Sequence, residues 1–104
     1  YAATKSAAIG FTKSIASYYA NQGIRANLIA PALVESPMST RALGNEAIMD
    51  FVRQKQPLDG GRVGVPEDLD EAALFFLSDA SHFVTGQVLA VDGGWSVTEG
   101  RSRT

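Results

Sequence analysis

The stretch Ile24-Arg25-Ala26-Asn27-Leu28-Ile29-Ala30, followed by Pro31, decides how the rest of the sequence is interpreted. The run is short and tolerant of β-structure, and it ends at a proline, which cannot donate to a sheet ladder. We therefore predict a buried strand over residues 24–30. The next residues, 31–40, contain two prolines and several hydroxyl groups. They are predicted to form a loop at the carboxyl end of the strand, where open α/β sheets bind their ligands.

A long helix is predicted before this strand. Ala8, Phe11 and Ile15 recur at helical spacing. Gly23 follows at a position suited to a C-cap, because glycine adopts the left-handed conformation without strain. The pattern predicts a first helix from residue 2 to about residue 20.

Two further helices and a second strand are predicted after the loop. Residues 46–55 place apolar side chains on one face and end before Pro57, and we interpret them as a short helix that acts as a movable flap. Pro66 stands at a first helical position with acidic residues behind it, which favours a helix start there. The apolar stripe of that helix comprises Leu69, Ala72, Ala73, Phe76 and Leu77. Residues 86–91 are typical of a strand, which 92–94 would end.

This order of elements indicates an α/β fold, a parallel sheet with covering helices. Two parallel strands joined through a helix predict a right-handed crossover. Two strands do not complete such a sheet, because parallel strands are usually buried on both faces and residues 24–30 would leave one edge open. We therefore expect the missing strands upstream of residue 1. The isolated polypeptide is expected to be marginally stable or prone to associate.

Composition limits the classes of function. The chain has 104 residues, 45% hydrophobic content and a formal net charge of -2, which indicates one globular domain or part of one. Basic residues are scattered among acids, so we expect no nucleic-acid binding. There are no cysteines, which excludes disulfides and thiolate metal sites and fits a cytoplasmic location, and we predict no metal site. The apolar runs are shorter than the ~20 residues of a membrane span, so we expect no membrane role.

Tyr1 and Lys5 open the sequence four residues apart. On a helix, positions i and i+4 lie on one face, so the ammonium can sit close to the phenol hydroxyl. A nearby cation lowers the pKa of a phenol, which is about 10 in free tyrosine, and so prepares it for general acid or base catalysis. The spacing alone is a loose pattern, and an ordinary solvated helix is the alternative interpretation.

Four stretches in this order resemble the C-terminal half of the short-chain dehydrogenase/reductase family, over nearly all of residues 1–95. They are Tyr1 to Lys5 (YAATK), residues 24–38 (IRANLIAPALVESPM), residues 61–68 (GRVGVPED) and residues 85–94 (TGQVLAVDGG). The resemblance implies the C-terminal part of a Rossmann-like, doubly wound parallel sheet, incomplete in this chain. Residues 1–95 would form half of a single dehydrogenase domain, and 96–104 a polar tail.

The resemblance also implies hydride transfer between NAD or NADP and a carbonyl or alcohol substrate. Tyr1 would be the proton donor or acceptor. Lys5 would lower the Tyr1 pKa and hydrogen-bond the nicotinamide ribose, so both residues are predicted to be catalytic and to contact the cofactor. The family's phosphate loop and its catalytic serine and asparagine would precede residue 1. We therefore expect the isolated chain to be inactive or nearly so, and the choice between NAD and NADP stays open.

The loop after the first strand is the other predicted part of the cofactor site. By resemblance, Pro31 and Ala32 run close to the cofactor, the Val34 backbone bonds its carboxamide, and Ser36 replaces a threonine that contacts the carboxamide or pyrophosphate. Ala32 stands where the family usually has glycine. If that position needs a positive φ, alanine would be strained there.

Association and the weaker candidates complete the predictions. Family members commonly pair the first helix with its copy, so a homodimer or homotetramer is expected through this helix and the C-terminal strand region. Trp95 is a reasonable interface anchor. His82 is predicted to have a surface or capping role rather than a catalytic one. The alternative to an oxidoreductase is a non-catalytic interaction or oligomerisation module, and the sequence does not identify a substrate.

Overall fold

The computed structural model describes residues 2–99 of the chain. Four α-helices and two strands occur in these residues: α1 (Ala2–Tyr19), β1 (Leu28–Pro31), α2 (Thr40–Leu43), α3 (Glu46–Lys55), α4 (Asp70–Leu77) and β2 (Val88–Val91). Short 3₁₀ turns form at Ala20–Gln22, Pro37–Ser39, Leu58–Gly61, Pro66–Leu69, Asp79–Ser81 and Trp95–Val97. The strands pair as a two-stranded parallel sheet, as the sequence predicted.

Contacts within the described residues divide the chain into two units. The first comprises the residues up to Ala30 together with 71–89, and therefore contains α1 and nearly all of α4. The second comprises 31–70 together with the residues from Ala90 onward, and contains α2 and α3. Across residues 2–99, no helix is long and apolar enough to cross a membrane.

The first strand begins later than the sequence predicted. The prediction placed its start at residue 24, whereas β1 begins at Leu28 and includes Pro31. The residues before Leu28 are bonded by side chains: the Ala26 N–H donates to Thr85 Oγ1 at 3.1 Å, and Asn27 donates to the Val84 carbonyl at 3.1 Å. Such bonds replace a regular ladder. Pro31 ends the strand because it lacks the N–H that a further rung needs.

The second strand is also shorter than the predicted residues 86–91, since β2 begins at Val88. Gly86 has a φ of +70°, a left-handed conformation that cannot continue a strand. Its carbonyl accepts a 3.0 Å hydrogen bond from Lys13 on α1, and its N–H donates to the Ala26 carbonyl at 2.8 Å. Gly86 therefore turns the chain towards β2 within the first unit.

The helices lie close to their predicted positions. α1 matches its prediction and continues into a 3₁₀ turn, which Gly23 caps at a φ of 76°. α3 has the predicted bounds, and Asn45 caps its start by accepting from the Ile48 N–H at 3.1 Å. The helix predicted at Pro66 begins there as a 3₁₀ turn and becomes α-helical at Asp70. Residues 31–40 are not wholly a loop, because their second half forms a 3₁₀ turn and the start of α2.

Few side chains of the described residues are buried. The buried apolar residues are Ala16 in the first unit and Val52 in the second. Many large apolar side chains are exposed instead, among them Phe11, Tyr18, Leu74, Leu77, Phe83 and Leu89 of the first unit. Exposed apolar area of this kind is typical of surfaces that another polypeptide segment covers.

Candidate functional site

The predicted catalytic pair is only partly described. Tyr1 lies outside the described residues. Lys5 lies on α1, in the first unit, and is half-buried. Their predicted roles therefore stay predictions.

The loop that follows β1, residues 32–35, is held by a parallel bridge between Val34 and Gly64 in the second unit. The Gly64 N–H donates to the Leu33 carbonyl at 3.0 Å, and the Glu35 N–H donates to the Gly64 carbonyl at 2.8 Å. A Cβ on Gly64 would lie 3.3 Å from Leu33 O and 3.3 Å from Val34 Cγ2. The close approach of the two backbones therefore favours glycine at this position.

This bridge fixes the direction of the Val34 backbone groups. A trans peptide is planar, so a carbonyl and the N–H that follows it point in opposite directions. Because Leu33 C=O and Glu35 N–H both bond to Gly64, the Val34 N–H and C=O point the other way. Within residues 2–99 neither of these Val34 groups has a hydrogen-bond partner. Val34 thus presents one donor and one acceptor side by side.

Gln56, which is 3% exposed, also holds this loop and bonds the same Leu33 carbonyl that accepts from Gly64. Its Oε1 accepts from the Leu33 N–H at 3.1 Å, and its Nε2 donates to the Leu33 carbonyl at 3.2 Å. The second Nε2 hydrogen bond reaches the Arg62 carbonyl at 3.1 Å. A primary amide here pairs with both backbone groups of one residue of the loop.

The other predicted cofactor residues lie along the same segment. Pro31 is exposed at the end of β1, and Ala32 is half-buried. Asp59 is the only non-glycine among the described residues with a positive φ, so Ala32 carries no left-handed strain. Ser36 is exposed, and its backbone N–H donates to Ser39 Oγ at 2.9 Å. The chain therefore accommodates alanine in place of the family's glycine.

A cavity of about 150 Å³ lies in the second unit. Two of the predicted residues, Ala32 and Val34, line it. The remaining lining comes from Leu33, Gln56, Leu58, Asp59, Arg62, Gly64, Asp68, Val91, Asp92 and Gly93. Three of these lining residues, Asp59, Arg62 and Asp68, form one ion-pair cluster.

Arg62 is engaged by two carboxylates in this cavity wall. Its Nη1 and Nη2 donate to the two Asp68 oxygens at 2.7 and 2.8 Å, and its Nε donates to Asp59 at 2.6 Å. The Asp68 hydrogen bond, and then that of Asp59, raise the pKa of Arg62. The Arg62 hydrogen bond and the Val65 N–H lower the pKa of Asp68 to about 2. With four of its five N–H donors hydrogen-bonded within the chain, this guanidinium stabilises the turn and is a poor anchor for a phosphate.

The carboxyl end of α3 is tied to the segment after β2. Lys55 Nζ donates to the Thr98 carbonyl at 2.6 Å, and Thr98 Oγ1 donates to the Lys55 carbonyl at 2.9 Å. Phe51 meets the ring of Trp95 edge to face, with 5.7 Å between the ring centroids. The carboxyl end of α3, the helix interpreted as a movable flap, is therefore held by contacts with Trp95 and Thr98 in this structure.

Sequence reasoning missed the role of Gln56. Val52 is the buried residue of α3, and Gln56 lies four residues further on, so it continues the same helical face. A polar residue at the end of a buried stripe was the available signal, because buried polar groups need partners.

His82 is exposed, in agreement with the predicted surface or capping role. Its backbone N–H caps the preceding 3₁₀ turn by donating to the Asp79 carbonyl at 3.0 Å. Among the described residues, no cluster of metal-ligating side chains occurs.

Comparison with known proteins identifies the family of the chain. The family model described as enoyl-(acyl carrier protein) reductase matches residues 1–96. The chain is 44% identical, over 94 residues, to 3-oxoacyl-(acyl-carrier-protein) reductase FabG of Chlamydia trachomatis, covering 90% of this chain and 36% of that protein. It is also 44% identical, over 98 residues, to the inactive 2-(S)-hydroxypropyl-CoM dehydrogenase 2 of Xanthobacter autotrophicus, covering 90% of this chain and 42% of that protein.

Solved structures agree with this fold. A gluconate 5-dehydrogenase from Burkholderia cenocepacia in complex with NADP and tartrate superposes with a TM-score of 0.86 at 40% identity, over 92% of this chain and 37% of that one. A 4-hydroxyisoleucine dehydrogenase complexed with NADH gives 0.87 at 32% identity, over 93% of this chain and 39% of that one. The chain spans only 36–42% of these four proteins. These matches confirm the Rossmann-like fold, and the chain belongs to the short-chain dehydrogenase/reductase family.

Proposed function

We propose that the complete gene product carrying this chain is an NAD(P)-dependent oxidoreductase. It transfers hydride between a nicotinamide cofactor and the carbonyl or alcohol carbon of a small molecule. The observation that carries the proposal is the pair of backbone groups on Val34, one donor and one acceptor, directed by two fixed peptide planes. Membership of the family and the NADH- and NADP-bound structural relatives support it.

A nicotinamide carboxamide has the complementary pair, a carbonyl acceptor and an N–H donor. The Val34 N–H would donate to that carbonyl, and the Val34 C=O would accept from the amide. The same segment already accommodates a primary amide in this mode, since Gln56 pairs with both backbone groups of Leu33. Pro31 and Ala32 would lie against the cofactor, and Ser36 would offer its hydroxyl to the carboxamide or pyrophosphate.

Tyr1 and Lys5 would perform the proton transfer. When bound, the cofactor supplies or accepts the hydride. The Tyr1 hydroxyl donates a proton to the substrate oxygen as negative charge develops there, or its phenolate takes the proton of an alcohol. Lys5 holds the phenol in its reactive state by its charge and bonds the ribose. The 104 residues alone are expected to turn over little, because the predicted phosphate anchorage and the catalytic serine and asparagine are not among them.

Association and location are part of the proposal. Phe11 and Tyr18 of α1 are exposed, as is Leu89 of β2. Covering these side chains in a homodimer or homotetramer through α1 and the C-terminal strand region would remove apolar area from water. The proposed location is the cytoplasm, because none of the 104 residues is a cysteine that would need an oxidising environment to form a disulfide.

A second candidate is a non-catalytic interaction module. Two observations favour it: the exposed apolar side chains, and a 44% identical relative that is named as inactive. Such a module would use its apolar helix faces and sheet edge to associate, and it would need no cofactor.

Fluorescence titration of the complete gene product with NADH and NADPH separates the two. The oxidoreductase binds at least one of them, whereas a module binds neither. The analogue that carries an acetyl group in place of the carboxamide tests the Val34 pairing without changing the protein. It lacks the N–H that would reach the Val34 carbonyl, so it should bind about tenfold more weakly, the effect of one unmade hydrogen bond. Equal affinity for the analogue would contradict the assigned role of Val34.

A further inference from the structure

We propose that Gln56 is a positioning residue for the cofactor, because its side-chain amide sets the peptide plane that presents the Val34 N–H. The inference rests on the proposed function. It adds a residue that contacts neither substrate nor cofactor and that acts through the loop after β1. Three hydrogen bonds support the inference, and the buried side-chain amide of Gln56 makes all of them.

The orientation of this amide is determined by its partners. The Leu33 N–H is a donor and can face only the amide oxygen. The carbonyls of Leu33 and Arg62 are acceptors and can face only the two N–H groups. No other natural side chain of this length supplies one acceptor and two donors in a plane, so the three bonds specify glutamine.

The Leu33 carbonyl is the group through which Gln56 acts on the Val34 N–H. It accepts from two donors at once, the Gly64 N–H at 3.0 Å and Gln56 Nε2 at 3.2 Å. Rotation of the peptide between Leu33 and Val34 would break both bonds, and this peptide also carries the Val34 N–H. The hydrogen bond to the Arg62 carbonyl connects the same amide to the segment that includes Gly64, which pairs with the loop. Gln56 thereby fixes the angle at which the Val34 donor meets a ligand.

The position of Gln56 is itself well defined. Its backbone N–H ends α3 by donating to the Val52 carbonyl at 2.8 Å. Gly93 packs against its stem, and a Cβ at Gly93 would lie 3.1 Å from Gln56 Cβ. The side chain therefore has little freedom, and preorganisation of this kind lowers the entropic cost of holding the loop in its binding geometry.

The test compares two variants with matched controls in the complete gene product. Gln56→Leu removes all three hydrogen bonds with a side chain of similar size. Gln56→Glu keeps the acceptor for the Leu33 N–H but places a carboxylate oxygen against the carbonyls of Leu33 and Arg62. Gln54, two residues earlier on α3, is exposed and provides the controls Gln54→Leu and Gln54→Glu. We expect the Kd and KM of the preferred cofactor to rise about tenfold in both Gln56 variants, as for a buried group left unsatisfied. The substrate KM and both Gln54 controls should stay unchanged.

A pH series distinguishes positioning from a general loss of packing. A carboxyl group facing carbonyls in a buried site has a raised pKa, so in Gln56→Glu it becomes protonated as the pH falls. The protonated form regains one donor, and the ratio of variant to unmodified cofactor Kd should fall towards one on acidification. A ratio that is independent of pH would overturn the inference, as would unmodified cofactor affinity in both Gln56 variants.

Hydrogen exchange tests the idea even if the variants fold poorly. In the unmodified protein without cofactor, the Leu33 N–H should exchange slowly because it is bonded to Gln56, and exchange at the rate of an unstructured peptide would overturn the inference. Failure of the proposed function has a different signature. In that case the unmodified protein binds neither NADH nor NADPH, whatever the exchange rate at Leu33.

Discussion

Two neighbouring glycines provide a direct test of how the loop before Arg62 is built. Gly60 and Gly61 have φ values of +77° and +78°, so alanine would be strained equally at both. A Cβ at Gly60 meets nothing within 4 Å. A Cβ at Gly61 would lie 3.0 Å from Arg53 O and 3.1 Å from Arg53 Cα, both backbone atoms of α3. The pair therefore separates backbone strain from a steric clash.

The expected magnitudes follow from these distances. Gly60→Ala should cost about 1 kcal/mol of unfolding free energy, the penalty for a left-handed alanine. Gly61→Ala carries the same penalty and adds overpacking against a helix backbone, typically about 2 kcal/mol, for a total of about 3 kcal/mol. In urea unfolding, the difference corresponds to a midpoint lower by about 1 M in Gly61→Ala than in Gly60→Ala.

The assay is urea denaturation of the complete gene product followed by far-ultraviolet circular dichroism. Because Gly61 directly precedes Arg62, whose carbonyl binds Gln56, Gly61→Ala should also weaken cofactor binding more than Gly60→Ala. Equal midpoints for the two variants would refute the reasoning, since the clash with Arg53 would then contribute nothing.

Three further predictions use other parts of the chain. The pKa of Asp68 is lowered to about 2, so the stability that its pair with Arg62 contributes should be complete above about pH 4 and lost as the pH falls through 2. The urea unfolding midpoint should therefore decrease over this pH range, and in Asp68→Asn this part of the pH dependence should be absent. Lys5→Met should lower kcat, raise the cofactor KM and alter the pH–rate profile, and an unaltered profile would argue against its role. Thr98→Val removes the hydroxyl bonded to the Lys55 carbonyl and should speed amide exchange at the end of α3, unlike Thr4→Val at an exposed hydroxyl.

Local signals explain which elements the sequence predicted well. The bounds of α3 were correct because Asn45 caps its start and Pro57 follows its end, and both act within a few residues. The strand starts were wrong because they depend on partners far away in sequence. Ala26 is bonded by the Thr85 hydroxyl, and Gly86 adopts a left-handed turn, neither of which a strand-like run of residues reveals.

The candidate site was predictable only in part, for a similar reason. The resemblance pointed to Val34, but the direction of its backbone groups follows from the bridge to Gly64, 30 positions later. The contribution of Gln56 depends on an amide that reaches back 23 residues to Leu33. Whether Ala32 would be strained depended on the sign of its φ, which the residue type alone does not give; the structure shows that its φ is not positive.

The most direct test of the central claim follows the Val34 amide during cofactor binding. In the complete gene product, labelled with ¹⁵N and titrated with NADH or NADPH, the Val34 N–H should shift as it donates to the carboxamide and should become protected from exchange. The acetyl analogue should reproduce the shift with weaker affinity, because it keeps the carbonyl acceptor. A cofactor that binds while the Val34 amide neither shifts nor gains protection would contradict the account.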